Sequence, residues 1–366
     1  MRIVVNQGEL EDKIVMTSKA VAKKTAKPVL SGFLFEVSSE GVFVNATDLE
    51  TGVRATVQAD EVEGEGKFVV DASTFLDIVK NLPNDVVVLE YDEDVLNISS
   101  GRSSFSLSTM DASEFPEFSF AETDSFVEID TSILEDMIDK VIYAAATDEF
   151  MKNLNGVYWE FTDTGLRLVA SDGFRLALIE QNLESTLGMS FLISLKSMKE
   201  LQNVISNTSE PAVRLRYDGK RFSVEAGDVQ VTMRVVDADF PDYRRVLPKE
   251  YNTKVVLSKT EALDALKRTM IIAKKGSDAV KLEASEDGVI LTSRSPDYGE
   301  AREELEADFE GENIEAAFNP KFLQEAFRNV DTEEIELYFV SSTAPLKIKG
   351  FEKEEYFYIV MPIRLA

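Results

Sequence analysis

The same short pattern occurs six times along this chain. An extended apolar run ends in Asn, Asp or Ser, and one amphipathic helical segment follows. The capping positions are Asn6, Asp71, Asp130, Ser194, Ser258 and Asn319. Each side chain carries an oxygen that can accept from the free N–H groups of a first helical turn. Strand-like segments follow each helix, with no second helix between them. The repeats also nest. Thr47-Asp48 recurs as Ser171-Asp172, Asp71 as Ser194, and Phe115-Pro116 as Phe240-Pro241, all at an offset of about 124 residues. Leu10, Leu134 and Leu263 hold matching places in three successive copies. A third copy runs from about Thr253 onward with the same order of elements.

Three domains follow, over residues 1–119, 124–248 and 253–366. Each is of ordinary domain size and contains two helix-plus-strands halves. The strands alternate as half-buried sheet does, for example Val42-Phe43-Val44 and Val213-Arg214-Leu215-Arg216. Each helix has one apolar stripe, such as Leu10, Ile14 and Val15, enough to cover one sheet face. Parallel winding would need a helix after nearly every strand, and there are too few. The fold class is therefore α+β, two helices per domain packed on antiparallel sheets.

Composition narrows the function classes. The chain has 366 residues, no cysteine and no histidine. Disulfides, thiolate metal sites and cysteine nucleophiles are excluded, and so is any triad built on an imidazole. No metal or cofactor is called for. There is no run of 18 apolar residues to cross a membrane, and Met1 to Lys13 lacks the apolar core of a signal peptide, so a cytoplasmic location is expected.

The formal net charge is −28, which by itself argues against nucleic acid. Its distribution argues otherwise. A first helix is read from Gln7 to Lys24 and a fifth from Thr260 to Lys275; both begin acidic and end basic. Half of that asymmetry suits the helix dipole. The acidic clusters, such as Asp60-Glu61-Val62-Glu63 and Glu303-Glu304-Leu305-Glu306, fall in strands and loops. Helices gathered on one face would make that face basic on an acidic body. Asp48 and Asp172 look like part of a carboxylate cluster, but their recurrence marks turns. Trp159 reads as core. A carboxylate-based hydrolase would need converging acids, whereas here the acidic motifs are dispersed. A scaffold that binds only proteins would have no use for a basic helix face.

Five segments carry a family resemblance: Ala46-Thr47-Asp48-Leu49-Glu50, Leu154-Asn155-Gly156, Ala170 to Ala177, Phe240 to Pro248, and Val360-Met361-Pro362-Ile363-Arg364-Leu365. Together, in order, on a three-copy chain of this length, they resemble the bacterial sliding clamp, the β subunit of DNA polymerase III. The resemblance implies a non-catalytic processivity factor, a head-to-tail homodimer closing into a ring around duplex DNA without reading its sequence. Twelve helices would line the hole.

It further implies a pocket that receives a short linear peptide from the DNA polymerase III catalytic subunit, the clamp loader, other polymerases and repair proteins. By position, that pocket comprises Leu154, Ser171, Gly173, Phe174, Arg175, Leu176, Pro241, Arg245, Val246, Ile359, Pro362, Ile363 and Arg364. Phe174 and Ile363 depart from the family's usual residues there, and Ala366 is an extra terminal residue. On the ring reading, Lys23, Lys24, Lys196, Lys199, Lys267, Arg268, Lys274 and Lys275 face DNA. Arg102, Phe105 and Leu107 meet Ile271, Ile272, Glu300, Glu303 and Glu304 across the dimer contact.

Overall fold

The computed structural model describes residues 1–83, 85–117, 119–183, 188–276 and 278–364. Leu365 and Ala366 therefore lie outside the described residues. Six α-helices occur among those described: α1 (Gln7–Thr17), α2 (Ala72–Asn81), α3 (Thr131–Ile142), α4 (Leu195–Asn207), α5 (Lys259–Ala273) and α6 (Pro320–Arg328). Each begins one residue after a capping position read from the sequence. Asn6 accepts from the Gly8 N–H, Asp71 from Thr74, Ser258 from Glu261 and Asn319 from Lys321, which satisfies donors that the helix itself leaves free.

The chain forms two compact units. Unit 1 is residues 1–136 with 196–235, and unit 2 is 137–195 with 236–366. Every ladder in both is antiparallel. Unit 1 has a five-stranded sheet in the order Ala59–Glu63, Arg2–Asn6, Val86–Asp92, Val95–Ser100, Ser103–Ser108. Its eight-stranded sheet runs Val127–Asp130, Ala212–Tyr217, Arg221–Ala226, Val229–Arg234, Thr51–Val57, Gly41–Thr47, Gly32–Ser38, Gly66–Asp71. Helices α1 and α2 pack together, and α1 also lies on Gly41–Thr47 and Thr51–Val57. Leu10, Ile14, Phe75 and Val79 are the buried stripes of that pair.

Unit 2 has a nine-stranded sheet: Ser190–Ser194, Gly156–Phe161, Gly165–Ser171, Arg175–Asn182, Tyr356–Val360, Leu346–Gly350, Glu334–Phe339, Thr253–Ser258, Asp308–Gly311. Its four-stranded sheet is Gly299–Leu305, Gly288–Ser295, Val280–Ser285, Ile314–Phe318. Helices α5 and α6 pack together, with Ala262, Leu266, Leu323 and Phe327 buried. Trp159 is fully buried, as its place in an apolar strand implies.

The first helix is shorter than the sequence reading. It ends at Thr17, followed by a 3-10 turn over Ser18–Ala20. The Thr17 hydroxyl donates to the Lys13 carbonyl and the Ser18 hydroxyl to that of Val15, at 2.7 Å each. Such back-bonding competes with helix propagation. Lys23 and Lys24 consequently lie in the loop beyond. The fifth helix also stops early, at Ala273, with Lys274 as its C-cap and Lys275 outside.

The Asp48 and Asp172 segments are turns of identical construction. The Asp48 carboxylate accepts from the Glu50 and Thr51 N–H groups at 2.9 and 2.8 Å. The Asp172 carboxylate accepts from Phe174 and Arg175 at 2.9 and 3.0 Å. Carboxylates holding backbone donors in this way are turn-formers, not a catalytic pair.

Candidate functional site

The strand pairing of unit 2 creates an apolar slot. Arg175–Asn182 and Tyr356–Val360 are neighbours, with Leu176 directly across from Ile359. Leu176 and Ile359 belong to one buried cluster with Val169, Leu178 and Tyr243, and Phe240 and Leu247 pack against it. A cavity of about 150 Å³ opens above this cluster. Eight of the residues assigned by resemblance line it: Leu154, Ser171, Gly173, Arg175, Leu176, Pro241, Val246 and Ile359. Phe240, Asp242, Tyr243 and Met361 complete the lining and were not among those assigned. A space this small holds one or two side chains, not a metabolite.

Five assigned residues lie outside the lining. Phe174 is 65% exposed and does not line the cavity. Arg245 is exposed and pairs with Asp242 at 3.0 Å. Pro362 is half-buried beside the slot and Arg364 is exposed. The Ile363 N–H donates to the Ala317 carbonyl at 2.7 Å, which turns that residue toward another strand. Alternation accounts for Met361 in place of Pro362: Ile359 and Met361 share one side of the extended chain. The Phe240-Pro241-Asp242-Tyr243 segment was legible as a motif, but its side-chain directions were not.

The rim of the slot is polar and fixed. The Ser171 hydroxyl donates to the Arg175 carbonyl at 2.7 Å, and Gly173 takes φ +88°, a left-handed conformation natural to glycine. The Arg175 side chain is nearly buried. It pairs with Asp172 at 3.0 Å and with Glu325, and donates to the Tyr143 carbonyl at 2.7 Å. The Tyr243 hydroxyl donates to Glu160 at 2.7 Å; burial and that carboxylate push its pKa up to about 12, so it stays a neutral donor.

The cations expected to face DNA are more entangled with acids than the sequence reading allowed. In unit 1, Lys196 on α4 pairs with Asp48. Burial, aided by the Asp48 charge, pushes the Glu200 carboxyl up to about 7, while Lys19, Lys23 and Lys196 pull it the other way. Those three lysines thus act on Glu200 through their charge. Lys199, one residue before it, is exposed. In unit 2, Lys267 pairs with Asp264 at 2.8 Å and Arg268 with Glu303 at 2.6 Å. Lys274 and Lys275 are exposed at the end of α5, and Lys275 lies over the Tyr298 ring.

The residues expected at a dimer contact sit on open edges. Phe105 and Leu107 lie on Ser103–Ser108, an edge strand, opposite the fully buried Ile98 and Leu96. They carry an apolar face out to the edge, with Arg102 exposed beside it. In unit 2, Ile271 is 66% exposed on α5 and Ile272 is half-buried. The acids did not turn out free to meet only a partner's bases. Glu300 pairs with Arg294, Glu303 with Arg268 and Glu304 with Arg302, all on their own chain. Strand Gly299–Leu305 carries three glutamates, which find bases on the neighbouring strand, on α5 and on the strand itself.

Comparison with known proteins decides the family. Residues 1–119 match the N-terminal domain of the DNA polymerase III beta subunit, residues 128–242 its central domain and residues 244–364 its C-terminal domain. The chain belongs to the DNA polymerase III beta subunit family. A beta subunit structure from Thermotoga maritima is 54% identical, with a TM-score of 0.96 and full coverage of both chains. The beta sliding clamp of Proteus mirabilis is 29% identical, and that of Bacillus subtilis 27%; each alignment spans the whole of this chain. The family's role is that of a DNA sliding clamp, the processivity subunit and not the catalytic one. Three clamp domains with six helices on antiparallel sheets are the fold of the family and of this chain.

Proposed function

We propose that two copies of this chain close head to tail into a ring around duplex DNA and tether the replicative polymerase there. The observation that carries this reading is the full-length likeness to the Thermotoga maritima beta subunit at 54% identity. The three domains are taken as residues 1–119, 124–248 and 253–366. Two chains then supply twelve helices to the hole. The cations on and beside α1, α4 and α5 meet phosphates without base contacts, which holds DNA while allowing it to slide. The ring joins the open edge at Phe105 and Leu107 of one copy to Ile271 and Ile272 of the other. Apolar anchors supply the energy, and Arg102 with Glu300, Glu303 and Glu304 sets the register.

The unit 2 slot takes a short peptide from the polymerase, the clamp loader and repair proteins, with Leu and Phe side chains as anchors and the polar rim holding its backbone. The location is the cytoplasm. Among the described residues no helix is long and apolar enough to cross a membrane.

The test is topological. The protein is loaded on a nicked circular plasmid with a bacterial clamp loader and ATP, washed in high salt, and the plasmid is then linearised. Retention on the circle and loss on linearisation is the expected result. Equal retention on both forms would mean ordinary adhesion and overturn the ring.

A further inference from the structure

We infer that unit 1 contains a second docking cleft, built on the same frame as the unit 2 slot, which takes an extended peptide carrying one carboxylate beside an apolar side chain. Only the class of ligand rests on reading the unit 2 slot as a peptide site. The cleft itself is an independent feature.

The frame repeats bond for bond. In unit 2 the Ser171 hydroxyl donates to the Arg175 carbonyl at 2.7 Å; in unit 1 Thr47 donates to Thr51 at 2.8 Å. Val360 stands across from Arg175, and Met233 across from Thr51. The Met361 N–H donates to the Phe174 carbonyl at 2.8 Å, and the Arg234 N–H to the Glu50 carbonyl at 2.9 Å. Pro241 lines one cavity and Pro116 the other. The unit 1 cleft is the larger, at about 250 Å³.

The lining is what differs. Where the slot has Met361, the cleft has Arg234, and Arg221 is its direct cross-strand partner. Like charges placed opposite one another in a sheet repel. Among the described residues no carboxylate lies within ion-pair distance of either guanidinium. Asp218, the nearest acid in sequence, accepts from the Lys220 and Arg221 N–H groups at 2.8 Å and from the Glu122 N–H at 3.2 Å; its charge reaches Arg221 without forming an ion pair. Other sheet arginines of unit 1 do have acids: Arg214 pairs with Glu128 and Arg216 with Glu225. In a chain of 67 acids and 39 bases, two facing arginines with no ion pair of their own leave a place for a ligand's carboxylate. Glu50 and Glu117 also line the cleft, so a single carboxylate is favoured over an acidic run.

Leu49 supplies the apolar half. It takes φ +78° at the position where unit 2 has Gly173 at +88°. Glycine would hold that left-handed turn without strain, and leucine does not. Its side chain lines the cleft and is 47% exposed. An apolar surface held there in a strained turn is covered only when something binds.

The experiment uses the full chain and a fluorescein-labelled peptide amide, Gly-Ser-Asp-Leu-Ser-Gly, followed by anisotropy. Replacing Asp by Asn in the peptide, or making Arg221→Gln with Arg234→Gln in the protein, should each weaken binding by about tenfold or more. Val246→Glu, which obstructs the unit 2 slot, should leave it unchanged. The peptide substitution needs no altered protein, so it stands even if the double variant folds poorly. Absence of binding, or binding indifferent to the Asp and both arginines, or binding lost only in Val246→Glu, would each overturn the cleft. A second labelled peptide with paired Leu and Phe anchors should lose affinity for Val246→Glu and not for the arginine variant. If it binds nowhere, the slot reading fails while the cleft stands or falls on its own peptide.

Discussion

The Arg175 guanidinium forms an ion pair with Glu325, tying the strand beneath the slot to helix α6. It lies over the Phe322 ring at 4.4 Å and also holds Asp172, with little water around it. Removing the charge leaves Asp172 without its ion-pair partner and Glu325 with only the more distant Lys321, at 3.9 Å, in a mostly buried site. Arg175→Met should therefore cost about 3 kcal/mol, the lower end for a broken buried pair because Glu325 is partly exposed. Urea unfolding should show a lower midpoint with an unchanged slope. A loss below about 1 kcal/mol would show that the pair does not organise the slot.

Deleting the chain from Met361 onward should abolish one wall of the slot. It removes the Met361 bond to Phe174 and the Ile363 bond to Ala317. Loss of a central anchor costs about 2 kcal/mol or more, roughly thirtyfold in affinity. Titration with a Leu-Phe peptide reads the loss, and a mass measurement should find the dimer intact. Unchanged affinity would remove Met361 from the binding surface.

Ile271→Asp together with Ile272→Asp should give monomers. Charged side chains on the exposed end of α5 would have to be buried without partners against the Phe105 and Leu107 edge, which is costly. Sedimentation at micromolar protein reads the outcome. A dimer that persists there places the contact elsewhere.

Lowering the pH from about 8 to about 6 should tighten nonspecific binding of duplex DNA. Burial sets the Glu200 carboxyl at about 7, within the field of Lys19, Lys23 and Lys196. Protonation removes a negative charge from that group of lysines. Glu200→Gln should bind as the low-pH protein does and lose this pH response. The same carboxyl bears on stability with a definite sign. Its folded pKa lies above the ordinary glutamate value of about 4.5, so the fold retains the proton that the unfolded chain releases. Its contribution is complete below about 4.5 and is lost as pH rises through about 7. Denaturation at several pH values, compared with Glu200→Gln, checks this; a variant with the wild-type pH response would discount Glu200.

The sequence by itself determined whatever depends on neighbours a few positions apart. The Asn6, Asp71, Ser258 and Asn319 caps, the Asp48 and Asp172 turns, the alternation of each strand and the burial of Trp159 are of this kind. Their donors, acceptors and faces are set by local geometry, and the repeats made each pattern visible more than once. The end of α1 was misjudged because Thr17 and Ser18 turn their hydroxyls back onto the helix, a competition that a run of lysines conceals.

Only the tertiary structure decided which residues line the slot and which charges are already paired. Strand Arg175–Asn182 lies against Tyr356–Val360, from the far end of the chain, and that register brings Met361 to the slot while Phe174 stays exposed outside its lining. Arg268 meets Glu303, and Lys196 meets Asp48, also across long gaps in sequence. Such contacts form only once the sheets have assembled. A strand's own alternation states which residues share a face, but its partner's register determines what that face meets.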